Sequence, residues 1–355
     1  MAEKILMKGN EAIGEAAVVA GCRHYFGYPI TPQSELIEYM AKRLPQVNGV
    51  FLQAESEISA INMVYGAAAA GCRVMTSSSS PGISLKQEGI SYIAGSQLPC
   101  VIVNMQRGGP GLGSIQPGQA DYFQATKGGG HGDYRNIVLA PNSVQEMADI
   151  TIDAFDLADK WRNAVMILGD GALGQMMEPV EFKESSAKPP EKPWAATGLH
   201  GRKTHNVINS LFLQPDLMEN HNHVLQAKYA QIQATETRWE SLQTEDADIV
   251  VVAYGITSRI AQTAIGKARA AGVKVGILRP ITLWPFPSKP LVDLCSTAKA
   301  FIVFEMSAGQ MIEDVKLAVN GACPVYFHGR TGGMLPTPKE LYENIMNVAR
   351  GEGGK

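Results

Sequence analysis

The stretch QAESEISAINMVYGAAAAG, residues 53–71, begins with acidic residues and serines and continues with small and apolar residues at helical spacing. Acidic residues and serine favour the first turn of a helix, and glycine favours its end. The stretch therefore predicts a buried helix that stops at Gly71, with Glu55 and Glu57 where a strand gives way to it. A carboxylate in that position is either a charge that stabilises the helix start or a catalytic group.

The composition is that of a globular enzyme. The 355 residues are enough for two domains, and 45% of them are hydrophobic and 18% charged. A net charge of −3 gives no electrostatic footprint for nucleic acid or an anionic membrane. No apolar run approaches the roughly 20 residues that cross a bilayer, and the N-terminus does not resemble a signal peptide. We expect a cytoplasmic protein with neither nucleic acid nor membrane as partner.

The five cysteines are far apart in the sequence: Cys22, Cys72, Cys100, Cys295 and Cys323. They form no Cys-x-x-Cys pair, and their small or apolar neighbours predict buried free thiols. Iron–sulfur clusters need closely spaced thiolates, so the chain is not expected to hold one alone.

Strands and helices alternate along the first half of the chain, which predicts an α/β fold with a doubly wound, mostly parallel sheet. The predicted elements are a helix over 9–21, a short strand from 24, a helix from about 34, strands at 50–52, 73–76, 100–105 and 136–140, a helix over 143–160, and a strand at 164–168.

From residue 183 the chain becomes proline-rich and then polar, which predicts a linker, without core residues, that carries a helix at about 223–242. A second α/β unit follows, with strands from 248, at 273–278 and at 300–305, and a helix over 258–271. The predicted domains are therefore 1–182, the linker segment 183–245, and the C-terminal α/β domain 246–355.

Three local patterns leave a structural and a functional interpretation open. Thr31 before Pro32 is typical of a helix cap followed by a first-turn proline. The serines of 77–80 follow a strand, where they fit either a binding loop on an open α/β sheet or a plain turn. Arg107 also follows a strand, in a glycine-rich setting where backbone can approach a ligand; the glycine order excludes a phosphate loop.

Several blocks occur together in a fixed order. They are YPITP at 28–32, Glu57 nine residues before Gly66, 76–82, Arg107, RPITLWPFP at 279–287 and EMSAGQ at 305–310. In this combination the chain resembles the alpha subunit of 2-oxoacid:ferredoxin oxidoreductases over nearly its whole length, and the YPITP and RPITLWPFP blocks are the specific part. Two glycine-rich segments, RGGPGLG at 107–113 and GGGHGD at 128–133, are most similar to the 2-oxoisovalerate, or branched-chain, type.

The resemblance implies a thiamine diphosphate enzyme that converts a 2-oxoacid, coenzyme A and oxidised ferredoxin to an acyl-CoA, carbon dioxide and reduced ferredoxin. The first domain would be a pyrimidine-type thiamine-diphosphate-binding domain, and the second would be transketolase C-terminal-like. The 2-oxoglutarate or pyruvate type of the family is the alternative for the substrate. A non-catalytic scaffold subunit and a self-sufficient nucleotide-binding enzyme are alternatives for the function; the missing glycine fingerprint argues against the latter.

The resemblance also assigns roles to residues. Glu57 would hydrogen-bond the aminopyrimidine ring and favour the imino tautomer that deprotonates the thiazolium carbon; Glu55 lacks the family's spacing to the helix glycine. Thr31 would lie near the substrate's carboxylate or keto oxygen, with Arg107 as its charged partner, since a guanidinium pairs well with a carboxylate.

Further cofactor contacts are implied at Tyr28, Pro29, Ser79 and Ser80. The serine segment departs from the family's commoner Thr-Ser-Gly-Pro-Gly form, because Ser80 stands where that form has glycine. The resemblance therefore leaves the backbone path of this segment open.

Two expected site elements are missing from the sequence. Gly-Asp-Gly occurs at 169–171, but the Asn pair that would complete a diphosphate–Mg²⁺ site does not follow at family spacing, so the motif predicts a strand-end turn. The diphosphate site, Mg²⁺ and the iron–sulfur clusters are then expected on partners: a beta subunit, a gamma subunit and an iron–sulfur delta subunit, with ferredoxin reached through the complex. The active site would lie at a subunit interface, and the second domain would supply contacts to subunits and coenzyme A.

Overall fold

The computed structural model describes residues 4–183 and 189–352. Up to residue 180 its strands are β1 (Ile5–Lys8), β2 (His24–Gly27), β3 (Val50–Gln53), β4 (Val74–Ser78), β5 (Cys100–Gln106), β6 (Ile137–Leu139), β7 (Ala164–Asp170) and β8 (Met177–Val180). The helices between them are α1 (Gly9–Val19), α2 (Ser34–Arg43), the 3₁₀ turn Leu44–Val47, α3 (Glu57–Ala69), α4 (Ser80–Gly95), α5 (Tyr122–Thr126), α6 (Val144–Trp161) and α7 (Gly171–Gln175).

A seven-stranded sheet forms the centre of this first unit. Its strand order is β12-β6-β7-β5-β4-β2-β3, where β12 (Thr282–Trp284) comes from the second half of the chain. The six strands that the first unit contributes to this sheet are parallel, and β12 is antiparallel to β6. The other two strands, β1 and β8, pair antiparallel in a sheet of their own. Strands β4, β5 and β7 are buried along their whole length, because helices α1, α2 and α6 pack together as one layer and α3 packs on α4. The predicted doubly wound parallel sheet is confirmed.

The helix predicted from residues 53–71 is also confirmed. Ser56 is the N-cap of α3, and its side chain accepts a hydrogen bond from the Ser59 amide at 3.3 Å. Gly71 follows the helix with φ of +87°, the left-handed conformation that favours glycine and ends helices. Glu57 is therefore the first helical residue.

A second, five-stranded sheet carries the C-terminal part of the chain. It is built from β9 (Trp239–Leu242), β10 (Ile249–Val252), β11 (Val275–Pro280), β13 (Ala300–Glu305) and β14 (Val325–Gly329), in the order β14-β13-β10-β11-β9. Only β9 runs antiparallel to its neighbour. The accompanying helices are α9 (Gly255–Ala270), α10 (Ser288–Leu294), α11 (Met311–Val319) and α12 (Pro338–Ala349).

The prediction for the segment before this sheet is partly wrong. Helix α8 covers Pro215–Thr235, and the residues from Trp239 to Leu242 form strand β9 instead of continuing the helix. Strand β9 exists because it pairs with β11, a tertiary contact that local sequence does not reveal. Helix α8 also buries Leu225, Tyr229 and Ile232 in the main core, so the segment is more than a linker. Residues 184–188 lie outside the described residues.

Two further local predictions are wrong. Thr31 does not cap α2: the N-cap is Gln33, and the Thr31–Pro32 peptide is cis in the turn before it. The serine segment is not a loop either, because Ser77 and Ser78 still belong to β4 and α4 begins at Ser80, with a proline in its first turn. Serine side chains are small enough to be buried at this strand end, and a proline is well tolerated in a first helical turn.

The block at 279–287 joins the two units. The Arg279 guanidinium donates two bonds of 2.9 Å to the Glu146 carboxylate on α6 and one of 2.9 Å to Glu240 on β9. Beyond it, β12 enters the first sheet, and the Trp284 ring meets the Tyr229 ring edge-on at 5.7 Å. The most specific sequence block therefore holds the architecture together. None of the described helices is both long and apolar enough to cross a membrane.

Candidate active site

The predicted site residues gather at one edge of the seven-stranded sheet. Tyr28 and Thr31 follow β2, Glu57 follows β3, Ser79 follows β4, and Arg107 follows β5. These four strands are parallel neighbours in the sheet, so their carboxyl ends meet at the same edge. The carboxyl edge is where open α/β sheets bind ligands.

Glu57 begins α3 directly after β3 and is buried, with 6% of the residue exposed. The position of Gly82 explains how α4 approaches it. A Cβ built on Gly82 would come within 2.7 Å of Glu57 Oε1 and would collide with the Ser78 hydroxyl. Glycine at position 82 therefore allows the first turn of α4 to pack directly against the carboxyl group.

Two hydroxyl groups beside Glu57 have no partner. The Oγ atoms of Ser78 and Ser79 are buried and make no hydrogen bond within the described chain. Ser79 is the N-cap of α4, yet its side chain does not cap the helix. A buried polar group without a partner costs about 1–3 kcal/mol, so these two hydroxyls remain available for a hydrogen bond to a bound molecule.

Arg107 and Thr31 are in direct contact. The Arg107 guanidinium donates to the carbonyl oxygens of Thr31 at 3.0 Å and Leu112 at 2.8 Å, and its Nε is buried without a partner. The side chain of Thr31 is exposed, whereas Arg107 is 6% exposed. The two residues thus form a polar corner that is open to solvent on the Thr31 side. The unpaired donor in this corner is the Nε–H of Arg107.

Ser80 connects neighbouring elements by hydrogen bonds, so its hydroxyl is not free for a cofactor. Its hydroxyl accepts from the Arg107 amide at 3.0 Å and donates to Asp121 at 2.6 Å. Asn104 supports both partners, since it binds the Ser80 amide at 3.1 Å and Asp121 at 2.9 Å. Burial raises the pKa of Asp121, while the bonds from Ser80 and Asn104 oppose that shift.

The remaining predicted contacts surround this core. Tyr28 is half-buried and Pro29 is exposed. Glu55 is exposed and accepts a hydrogen bond from Ser59, so it belongs to the outer surface of the helix start. The structure therefore separates the two carboxylates of the opening stretch: Glu57 faces the site, and Glu55 faces outward.

Lys86 is a site neighbour that the sequence reading missed. It is fully buried on α4, and its ammonium donates to Thr76 Oγ1 at 2.6 Å and to the Ser77 carbonyl at 3.0 Å. The sequence holds a signal for it, because Lys86 lies at helical spacing among Ile83, Ile90 and other apolar residues. Asp121 was also not predicted as a site neighbour, because no motif or residue spacing in the sequence indicates it.

Asp170 ends β7 and is the N-cap of α7. Its carboxylate accepts from the Leu173 amide at 3.1 Å and the Ile256 amide at 2.9 Å, which ties β7 to the start of α9. The strand end predicted at 169–171 is therefore followed directly by a helix, and not by a turn. Within residues 4–183 and 189–352, no three acidic, histidine or cysteine side chains come together as metal ligands. The five cysteines are free thiols there, of which Cys22 and Cys100 are buried.

Two adjoining cavities open beside Arg107. The first, of about 370 Å³, is lined by the 107–112 segment, Ser80 and Asp121. The second, of about 510 Å³, lies between the units, where Met306, Gln310 and Gly332 face the glycine-rich segment. Both are large enough for small organic ligands.

Sequence models of two families match the chain. The thiamine diphosphate-binding domain of pyruvate flavodoxin/ferredoxin oxidoreductases matches residues 15–244. Core domain II of pyruvate:ferredoxin oxidoreductase matches residues 247–341.

Curated relatives are similar over their full length. The chain is 55% identical to ketoisovalerate oxidoreductase subunit VorB of Methanothermobacter marburgensis, over 97% of each chain. It is 37% identical to 2-oxoglutarate synthase subunit KorA of Methanothermobacter thermautotrophicus, over 99% of this chain and 100% of that one.

Solved structures share the fold. The 2-oxoglutarate:ferredoxin oxidoreductase of Magnetococcus marinus, with 2-oxoglutarate, coenzyme A and succinyl-CoA bound, aligns with a TM-score of 0.86 and 27% identity. The alignment covers 99% of this chain and 66% of that longer chain. A split-gene transketolase, an inactive beta4 tetramer, aligns with a TM-score of 0.62 at 14% identity over 97% of this chain and 98% of that one, a likeness of fold alone.

Proposed function

The chain belongs to the 2-oxoacid:ferredoxin oxidoreductases as an alpha-type subunit, and we propose that it supplies the pyrimidine-side half of a thiamine diphosphate site that acts on a branched-chain 2-oxoacid. The products are the acyl-CoA and carbon dioxide, and the electrons pass to ferredoxin. The observation that carries the proposal is the buried Glu57 carboxyl beside two buried hydroxyls without partners.

The residues on this edge fit one half of thiamine diphosphate. Ser78 and Ser79 offer hydroxyls without a partner in the described chain, and Gly82 packs against the Glu57 carboxyl at the helix start. Thiamine diphosphate supplies a carbon nucleophile for the 2-oxo group and an electron sink for decarboxylation. Glu57 holds and shares a proton with the aminopyrimidine ring, a role that needs a positioned carboxyl shielded from water.

The polar corner at the mouth of the site suits the substrate. Arg107 offers a charged donor for the 2-oxoacid carboxylate, and its contact with the Thr31 carbonyl holds Thr31 beside it. Thr31 is exposed at this corner. Tyr28 and Pro29 belong to the cofactor wall, while Ser80 acts by fixing Arg107 and Asp121.

The branched-chain assignment rests on the relatives. The ketoisovalerate oxidoreductase subunit is 55% identical to this chain, whereas the 2-oxoglutarate synthase subunit is 37% identical. The cavity between the units gives coenzyme A a path to the same edge. A single methylene in an apolar pocket changes binding by only about 1–3 kcal/mol, so the preference among 2-oxoacids has to be measured.

The other half of the site belongs to partner subunits. Asp170 is saturated by two amides, and the described residues hold no metal-ligand cluster. A beta subunit therefore contributes the diphosphate and Mg²⁺ site. A gamma subunit completes the assembly, and an iron–sulfur delta subunit carries electrons to ferredoxin, in a cytoplasmic complex.

The test is reduction of a viologen dye by the purified complex across a panel of 2-oxoacids with coenzyme A. The proposal expects 2-oxoisovalerate and its branched homologues to give the highest kcat/KM. A higher value for 2-oxoglutarate or pyruvate contradicts the substrate assignment. A complex that keeps full turnover with Glu57→Gln indicates the competing function, a non-catalytic scaffold subunit.

A further inference from the structure

Lys86 is the buried charged group that the proposed function does not use. Its side chain has no exposed surface. It lies on the apolar side of α4, at helical spacing with Ile83, Ile90 and Ile93, which are all fully buried. An apolar residue would fill this position at lower cost, because a buried ammonium loses its hydration. A lysine there needs a reason beyond packing.

The Lys86 ammonium is hydrogen-bonded to the C-terminal end of strand β4. It donates to the Thr76 hydroxyl at 2.6 Å and to the Ser77 carbonyl at 3.0 Å. The next two residues along the chain are Ser78 and Ser79, whose hydroxyls are the partnerless groups of the site. The bonds of Lys86 thus fix the backbone from which those hydroxyls project.

The same ammonium acts on Glu57. Burial lowers the pKa of Lys86 to about 7, and the negative charge of Glu57 opposes this shift. The Glu57 carboxyl lies against Gly82 in the first turn of α4, one helical turn before Lys86. Tyr25 of β2 is the other titratable group at this strand end, bonded through its hydroxyl to the Ser77 side chain, and burial raises its own pKa beyond the neutral range.

We propose that Lys86 is a positioning residue for the cofactor site: it anchors the β4 end that carries Ser78 and Ser79, and it holds its ammonium group one helical turn from Gly82, which packs against the Glu57 carboxyl. This inference rests on the proposed function, because Glu57 and the two serines act together only when the cofactor binds there. It adds a buried titratable group to the pyrimidine side of the site.

Two substitutions separate the two effects of Lys86. Lys86→Met removes both the charge and the hydrogen bonds, while Lys86→Gln removes the charge and keeps an N–H donor for the strand end. Each is tested in the assembled complex, with Lys289→Met as control, since Lys289 is 82% exposed and pairs with Asp293 on α10.

Three measurements are needed: calorimetric titration of thiamine diphosphate with Mg²⁺, the pH profile of kcat/KM, and the melting temperature. Burial places the pKa of Lys86 at about 7, so the loss of its charge contributes a limb to the wild-type profile near that pH. Both variants lack that limb. Lys86→Met also weakens thiamine diphosphate binding about tenfold, whereas Lys86→Gln binds it within about threefold of wild type. Lys86→Met also lowers the melting temperature, because the buried Ser77 carbonyl loses its side-chain donor, whereas Lys86→Gln keeps the melting temperature near that of wild type.

The proposal is overturned if both variants keep the wild-type pH profile and cofactor affinity. It is also overturned if activity falls only in proportion to a lower melting temperature, which would assign Lys86 a purely structural role. Glu57→Gln is measured in parallel. If that variant retains turnover, the proposed function itself fails; if it abolishes turnover while the Lys86 variants behave as wild type, only the inference on Lys86 fails.

Discussion

The carboxyl edge of the first sheet and the junction between the two units are both rich in buried polar groups, but they differ in how those groups are satisfied. At the junction, Arg279 uses its guanidinium fully on Glu146 and Glu240, and Asp170 accepts two amides. At the carboxyl edge, Ser78 and Ser79 have no partner within the described chain.

This difference bears on which region still has hydrogen-bonding groups to offer. Paired groups stabilise the fold, whereas buried groups without partners cost free energy until a ligand or another subunit binds them. The pairing of Arg279 indicates that the block at 279–287 is architectural, although it is one of the two most specific motifs. The serine segment is only weakly marked in the sequence, and we propose that it belongs to the site.

Glu57→Gln gives the largest expected effect and tests the functional side of the comparison. Loss of the acidic proton removes general acid–base assistance, so kcat falls about 100-fold or more. Viologen reduction by the complex measures it. The matched control is Glu55→Gln, whose carboxylate faces outward only two residues away and whose turnover stays within about twofold of wild type. Equal losses in both variants would mean that the helix start matters only as a charge.

Arg279→Met tests the junction. It leaves Glu146 without its bidentate partner, and the free energy of unfolding falls by about 3 kcal/mol. Urea unfolding followed by circular dichroism measures the change, and the double variant with Glu146→Gln recovers part of it, because the two residues act as one pair. Strict additivity of the two single effects would contradict the pair.

Asp170→Asn tests the junction through the pH dependence of the free energy of unfolding. Burial raises the pKa of Asp170 from 3.8 to about 6, so between these values the folded chain keeps a proton that the unfolded chain releases. Its contribution to stability therefore falls as pH rises from about 4 to about 6, by up to about 3 kcal/mol. Unfolding at pH 4, 5, 6 and 7 should show this slope in the wild type and not in Asp170→Asn.

The control for that slope is Asp293→Asn. Asp293 is 61% exposed on α10 and pairs only with Lys289, four residues before it. Its variant should run parallel to the wild type across the same pH range. An unchanged slope in Asp170→Asn would show that other groups govern the acid response.

Ser79→Ala gives the smallest effect and sharpens the comparison within one short segment. No hydrogen bond of the free chain is lost, so the melting temperature stays unchanged, while thiamine diphosphate binding to the complex weakens by about 1 kcal/mol, or roughly fivefold. Ser80→Ala behaves in the opposite way: it breaks the bonds to Arg107 and Asp121 and lowers the melting temperature. Calorimetry with scanning fluorimetry distinguishes the two, and identical behaviour would contradict the assignment.

The sequence predicts the parallel sheet because its strands are apolar and alternate with helices of clear period. It fails where tertiary pairing decides, as at β9, which local sequence presents as the end of a helix. The same holds for the site. Glu57 is found from its place at a helix start, whereas Asp121 and Lys86 owe their positions to bonds with strands β4 and β5 and the helix after them, and no local pattern encodes those bonds.

The central claim is that this chain holds one half of a thiamine diphosphate site. Calorimetric titration of thiamine diphosphate with Mg²⁺ into the isolated chain and into the assembled complex tests it most directly. We predict saturable binding to the complex and none to the isolated chain at the same concentrations. Binding to the isolated chain with the affinity of the complex would contradict the account.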